Sequence, residues 1–169
     1  EPGYDELEAM AKRCGLSVLK LQQGQKLQVG DATMKILSPE PGTEGTNPNE
    51  EGLVMELCYG KFRGLFTGDI GEETEKKLLP RLDDVDFLKV GHHGSRYSSC
   101  QEFLDRIQPE AAVISCSESN TYGHPSPETI KRLEQNGIKT MYTMKSGAVT
   151  VSTDGGHMWL ETFCDGKTA

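Results

Sequence analysis

A layered α/β fold, with sheets covered by helices on an outer face, is the class this sequence predicts. Three features carry that expectation: short apolar or alternating runs of strand length recur along the chain, amphipathic helical patterns fall between several of them, and turn pairs such as Gly30-Asp31 and Gly60-Lys61 separate consecutive strands. A length of 169 residues suits one domain with a sizeable core and is short for two. Residues 1–169 are therefore read as a single domain.

The first element expected is a helix over residues 4–14, where Leu7, Met10, Ala11 and Cys14 share a face and Gly15 supplies a stop. Alternation at residues 17–21, 25–29 and 33–37 predicts three short antiparallel strands, the last two joined through Gly30-Asp31. Residues 38–51, rich in Pro, Gly, Asn, Thr and Glu, predict an irregular loop. Strands follow at 53–59 and 62–66, a short charged helix at 72–79 closed by Pro80, and an apolar strand at 85–90. A helix at 101–107, a buried strand at 111–116, a helix at 127–136 ended by Gly137, and a strand at 138–143 continue the alternation. Strands at 147–152 and 157–163 around Asp154-Gly155-Gly156 form a closing hairpin, and 165–169 is expected to be a flexible tail.

Composition excludes several classes. The formal net charge is −8, which argues against a broad basic face for duplex DNA, because affinity for phosphates comes mainly from Lys and Arg. The apolar runs are far shorter than the roughly 20 residues a bilayer-spanning helix takes. Glu1 follows no leader pattern and is read as a boundary inside a longer polypeptide. The five cysteines, Cys14, Cys58, Cys100, Cys116 and Cys164, show no C-x-x-C pair and are expected to be mostly small buried residues.

Chemistry concentrates in three loops, each at the end of an expected strand or the start of a helix: Thr67-Gly68-Asp69, Gly91-His92-His93-Gly94-Ser95 and Tyr122-Gly123-His124-Pro125. Asp69 offers a hard oxygen ligand and the histidines offer imidazole nitrogen to Zn²⁺, Mn²⁺ or Fe. Structural roles compete with these. Asp69 suits an N-cap for the helix at 72–79, and His92-His93 suit one surface imidazole and one bonded to the backbone. Pleat geometry allows at most one of the adjacent pair to ligate. Ser126-Pro127 is an ordinary helix start, so His124 also has a structural reading, and His157 is read as a surface residue.

Together, Leu65-Phe66-Thr67-Gly68-Asp69, Asp86-Phe87-Leu88-Lys89-Val90-Gly91-His92-His93-Gly94-Ser95 and Asn120-Thr121-Tyr122-Gly123-His124-Pro125, in this order and spacing, resemble the metallo-β-lactamase domain of ComEC-type competence proteins. The resemblance implies an αββα sandwich, incomplete at its N-terminal side because the family's His-x-His-x-Asp-His motif is absent from the chain. It implies metal-dependent hydrolysis of a phosphodiester, with two Zn or Mn ions per complete domain. Asp69 matches the bridging carboxylate, His93 or His92 the last histidine ligand with His93 favoured, and His124 a group facing substrate. Ser95 and Arg96 are expected as substrate contacts, with a weaker part for Asn49. The expected partners are single-stranded DNA or another phosphodiester and the membrane channel of the same parent polypeptide, which would place the domain outside the cytoplasm at the cell membrane.

Two other readings stay open: a non-catalytic structural or DNA-guiding module of such a channel, and a secreted phosphoesterase of the same fold. The chain by itself is expected to bind metal weakly, to be catalytically silent, and to self-associate through an uncovered sheet face.

Overall fold

The computed structural model describes residues 2–43 and 52–164. Helix α1 spans Pro2–Arg13, with Asp5 in its first turn and Lys12 and Arg13 in its last, where each charge complements the helix dipole. It stops at Gly15, whose φ of +69° lets the Leu16 amide reach back to the Ala11 carbonyl at 2.9 Å. The alternation at 17–21 does not become a strand. Leu19 is 75% exposed and no strand pairs with the segment among the described residues, and an alternating pattern makes a strand only where a neighbouring edge takes its amides and carbonyls.

Strands β1 (Lys26–Val29), β2 (Ala32–Ser38), β3 (Val54–Tyr59) and β4 (Phe62–Phe66) form an antiparallel meander, with Val29 opposite Ala32 and Tyr59 opposite Phe62 across two-residue turns. Helix α2 (Glu72–Leu78) leads to β5 (Phe87–Lys89), α3 (Gln101–Ile107) to β6 (Ala111–Ile114), and α4 (Pro127–Gln135) to β7 (Lys139–Tyr142). The seven strands lie in one sheet in sequence order, antiparallel from β1 to β4 and parallel from β4 to β7. A single turn, α5 (Thr143–Ser146), precedes the separate hairpin of β8 (Val149–Thr153) and β9 (Met158–Thr162).

The two sheet faces bury different sets. Val54, Leu65, Leu88, Ala112 and Ile114 pack beneath Leu78, Phe103, Leu104, Ile107 and Leu133 from the three helices. Each large side chain removed from water there contributes about 1.5–3 kcal/mol. On the other face Phe62, Phe87, Ala111 and Val113 meet Leu160, Val149, Val151 and Met158 of the hairpin. The hairpin is also tied at its tip. The Lys61 amide donates to the Gly155 carbonyl at 2.6 Å, and a Cβ on Gly60 would stand 2.7 Å from that same oxygen, so the two turns touch through backbone. Helices, large sheet and small sheet thus supply three successive layers of the αββα order.

The cysteines depart from expectation: only Cys100 is buried, Cys58 and Cys116 are half-buried, and Cys14 and Cys164 are exposed. Of the irregular loop expected at 38–51, residues 44–51 lie outside the described residues, as does the tail at 165–169.

Candidate active site

The parallel strands β4, β5 and β6 end side by side, so the segments that follow them are neighbours. Backbone contacts draw them closer. The His92 amide donates to the Gly68 carbonyl at 2.9 Å, the Thr67 hydroxyl to the Lys89 carbonyl at 2.9 Å, and the Ser126 amide to the Gly94 carbonyl at 2.8 Å. Glycines permit the approach. A Cβ on Gly91 would sit 3.1 Å from Thr67 Oγ1, and one on Gly94 only 2.7 Å from Pro125 Cβ.

Gly91–Gly94 forms a 3-10 turn in which His92 (φ 46°) and His93 (φ 54°) are both left-handed. The pleat rule used for the pair does not apply, because neither residue continues the strand. The imidazoles still diverge. His93 Nε2 lies 3.8 Å from Asp69 Oδ1, and its Nδ1 lies 2.9 Å from the Ser115 carbonyl oxygen. A carbonyl only accepts, so the proton belongs on Nδ1, which leaves the Nε2 lone pair beside the carboxylate. His92 instead faces His124, with ring centroids 5.6 Å apart at 72°. Asp69 does not cap α2: its N-cap residue is Gly71, and no side chain takes that part. The carboxylate is half-exposed.

His124 is held by Asn120, whose Oδ1 accepts the His124 amide at 2.9 Å while its Nδ2 donates to the His124 carbonyl at 2.6 Å. Tyr122 stacks on the imidazole at 6.0 Å. Its Nδ1 is buried without a partner among the described residues. Burial first, then the neighbouring His92, His93 and Arg96, push the imidazole below the ordinary histidine range, so His124 is neutral at pH 7.

Of the expected substrate contacts, Arg96 is exposed, with its guanidinium 3.9 Å from Glu128. Ser95 is only 2% exposed; its Oγ accepts the Tyr97 amide at 3.4 Å, so the structure places this hydroxyl inside the turn and not toward solvent. Asn49 lies outside the described residues. His157 is at the opposite edge of the sheet, beside a cavity of about 360 Å³ lined by Lys61, Asp86, Glu110 and Trp159. Two residues near the site carry no role in the sequence reading. Asn120 is one. The other is Lys89, half-buried on the hairpin side, whose Nζ donates to the Val90 carbonyl at 3.0 Å. Desolvation lowers its pKa, and the nearby Asp69 charge partly restores it. A lysine inside an otherwise apolar strand was the available signal.

Asp69 and His93 suit one small divalent cation. Two donors bound at 2.0–2.2 Å on a tetrahedral centre stand roughly 3.3–3.6 Å apart, close to the 3.8 Å seen here. They offer two donor atoms, and no cluster of three or more His, Cys, Asp or Glu set to hold a metal occurs among the described residues.

No family model matches the chain. Curated relatives do. The chain is 30% identical over 151 residues to ComE operon protein 3 of Bacillus subtilis, spanning 88% of this chain and 19% of that protein. It is 31% identical over 128 residues to competence protein ComA of Neisseria gonorrhoeae, spanning 74% and 18%. This is a metallo-β-lactamase-like domain of the ComEC type. It is also 31% identical over 118 residues to recombination protein 2 of Haemophilus influenzae, spanning 70% and 15%. The domain therefore spans less than a fifth of the length of these relatives. Solved structures agree on the fold. A protein of Parabacteroides distasonis named as a metal-dependent hydrolase superposes with a TM-score of 0.52 at 14% identity, over 81% of this chain and 62% of that one. The metallo-β-lactamase fold protein YhfI of Bacillus subtilis does so at 0.50 and 10% identity, over 86% and 56%.

Proposed function

We propose that the domain is the metal-dependent phosphodiesterase module of a competence-linked DNA-uptake protein, with single-stranded DNA as substrate. The observation that carries this reading is the His93 geometry: a ring nitrogen fixed by a main-chain carbonyl and a free lone pair facing the Asp69 carboxylate 3.8 Å away. Asp69 and His93 would hold Zn²⁺ or Mn²⁺ together with further ligands from the parent polypeptide. When bound, the metal supplies Lewis acidity and offsets negative charge on the phosphoryl oxygens.

The chain's own residues supply the rest. Neutral His124 donates a hydrogen bond to a non-bridging oxygen, and stacked Tyr122 limits its swing. Arg96, exposed just after the His92-His93 turn, presents a guanidinium fork to phosphate. Lys89 adds a partly desolvated positive charge close to Asp69. With a net charge of −8, binding of a polyanion depends on these few cations and the metal. The parent protein would hold the domain at the extracytoplasmic face of a membrane channel; no helix of the described residues is long and apolar enough to cross a membrane.

The test is hydrolysis of single-stranded DNA and bis-p-nitrophenyl phosphate with Mn²⁺ or Zn²⁺ by the full-length parent. Asp69→Asn and His93→Gln are expected to lower both metal content and turnover, the latter by at least about 100-fold. His124→Ala is expected to lower turnover about 100-fold with metal retained. Unchanged turnover in Asp69→Asn and His93→Gln would remove the active-site assignment. The competing reading is a non-catalytic DNA-guiding module, for which no variant alters hydrolysis because the parent shows none.

A further inference from the structure

Three of the residues around the candidate site, His92, His93 and Ser99, have left-handed backbones (φ 46°, 54° and 53°), a conformation that side chains with a Cβ adopt rarely. Such a run persists only where its surroundings over-determine it. The surroundings are two charged side chains remote in sequence. Arg132, on α4, donates from Nε to the Ser99 carbonyl at 2.8 Å, and from Nη2 to the Ser98 carbonyl at 2.8 Å and the Arg96 carbonyl at 3.0 Å. Glu75, on α2 and 0% exposed, accepts the Ser99 amide at 2.5 Å and the Cys100 amide at 2.9 Å. Arg132 also donates to Thr129 Oγ1 at 3.0 Å, and that hydroxyl donates to the Ser95 carbonyl at 2.7 Å. Ser98 closes the loop by donating to the Gly91 carbonyl at 2.9 Å.

We propose that Arg132 and Glu75 are positioning residues of the candidate site: from α4 and α2 they clamp the backbone of residues 95–100 and thereby hold His92 and His93 in the turn that aims His93 at Asp69. Both side chains direct these bonds to backbone and to Thr129. Arg132 satisfies carbonyls and Glu75 satisfies amides, so together they neutralise both polarities of one irregular segment that is buried at Ser95 and from Ser98 to Cys100, where unpaired backbone groups are costly. A planar fork is needed on one side, because four acceptors lie around one guanidinium and an ammonium is a point donor. A carboxylate is needed on the other, because a carboxamide oxygen serves one of two adjacent amides and its NH₂ opposes the second. Burial pushes the Glu75 carboxyl up, and the two amides, the Cys100 thiol and the Arg132 charge oppose that shift. The functional consequence rests on the reading of Asp69 and His93 as a cation site; the turn geometry stands without it.

The experiment therefore reads geometry and not turnover. Multiple-bond ¹⁵N–¹H NMR of this chain at about pH 8, above the ordinary imidazole value of about 6.5, should show His93 as a single Nδ1–H tautomer. Amide exchange should show protection across residues 95–100. Arg132→Met and Glu75→Gln are expected to populate both His93 tautomers and to speed exchange of these amides at least roughly tenfold. Ile107→Val, at a buried position of α3, serves as a control that lowers the melting temperature without touching the clamp, and it should change neither signal. Arg132→Lys supplies a milder variant should Arg132→Met fail to fold. Retention of the single tautomer and of loop protection in Glu75→Gln and Arg132→Lys would overturn the proposal, as would the same changes in Ile107→Val. A domain that hydrolyses nothing still returns either answer, so loss of the phosphodiesterase reading and loss of the clamp are separate results.

Discussion

At the scale of single residues, the acceptor that organises the candidate site is a main-chain oxygen. Ser115 contributes its carbonyl to His93 Nδ1, and that one contact decides which nitrogen of His93 is left for a cation. His124 is tuned differently. Its pKa is lowered by burial first and by His92, His93 and Arg96 after that, so ¹H NMR is expected to show it titrating below the ordinary 6.5. In His92→Gln the value should rise only part of the way, since the larger cause is untouched; a full return to the ordinary value would contradict that order of causes. The sign for stability follows. A histidine whose folded pKa is lowered binds fewer protons folded than unfolded, so its contribution is complete above the unfolded value and is lost as pH falls from 6.5 through the folded value. His124→Gln should flatten the fall of the urea midpoint in that window.

At the scale of elements, the loops are built by contact between backbones. Gly94 has φ +79°, and a Cβ there would meet Pro125 Cβ at 2.7 Å, whereas Gly137, at φ +69°, would meet nothing within 4 Å. Both pay for a left-handed alanine, about 1–2 kcal/mol. Gly94→Ala is expected to cost about 1–3 kcal/mol beyond Gly137→Ala, because the neighbouring loop must also move. Urea denaturation of the two variants checks this, and equal losses would show that the loops do not press on each other. Helix α4 shows what local sequence achieves unaided: Ser126 Oγ accepts the Thr129 amide at 3.2 Å and Pro127 follows, so the start was readable from the chain. By contrast α2 and α3 have no capping side chain of their own, and α3 is capped from α2 by Glu75.

At the scale of the whole molecule, the uneven cover of the sheet sets behaviour in solution. Helices protect one face and the β8–β9 hairpin part of the other, while Leu7, Met10, Leu16 (66% exposed), Val18 and Leu19 are exposed apolar side chains in the segment that precedes edge strand β1 along the chain. Open apolar surface beside an unpaired strand edge favours association. Sedimentation velocity of this chain should show a concentration-dependent shift to larger species, and Leu16→Glu with Leu19→Glu should abolish it. Monomeric behaviour of the unsubstituted chain at high concentration would refute the expectation. The helix-side core carries the stability: Phe103→Ala is expected to cost about 3–5 kcal/mol by urea denaturation, as a fully buried ring at the centre of the larger cluster.

The sequence by itself determined the alternation of strands and helices, the two-residue turns, the cap of α4, and the three loops that carry Asp69, His92, His93 and His124. These are properties of neighbours along the chain: periodicity, a capping hydroxyl, a glycine where φ is positive. Only the tertiary structure decided that residues 17–21 find no strand partner, that Ser95 turns inward, and that His93 and not His92 faces Asp69. Each depends on groups distant in sequence. An edge strand needs a partner's hydrogen-bonding row, and a histidine's tautomer depends on a carbonyl 22 residues away. The left-handed turn that breaks the pleat rule at His92-His93 is held by Arg132 and Glu75, and no local pattern announces a clamp made across three elements.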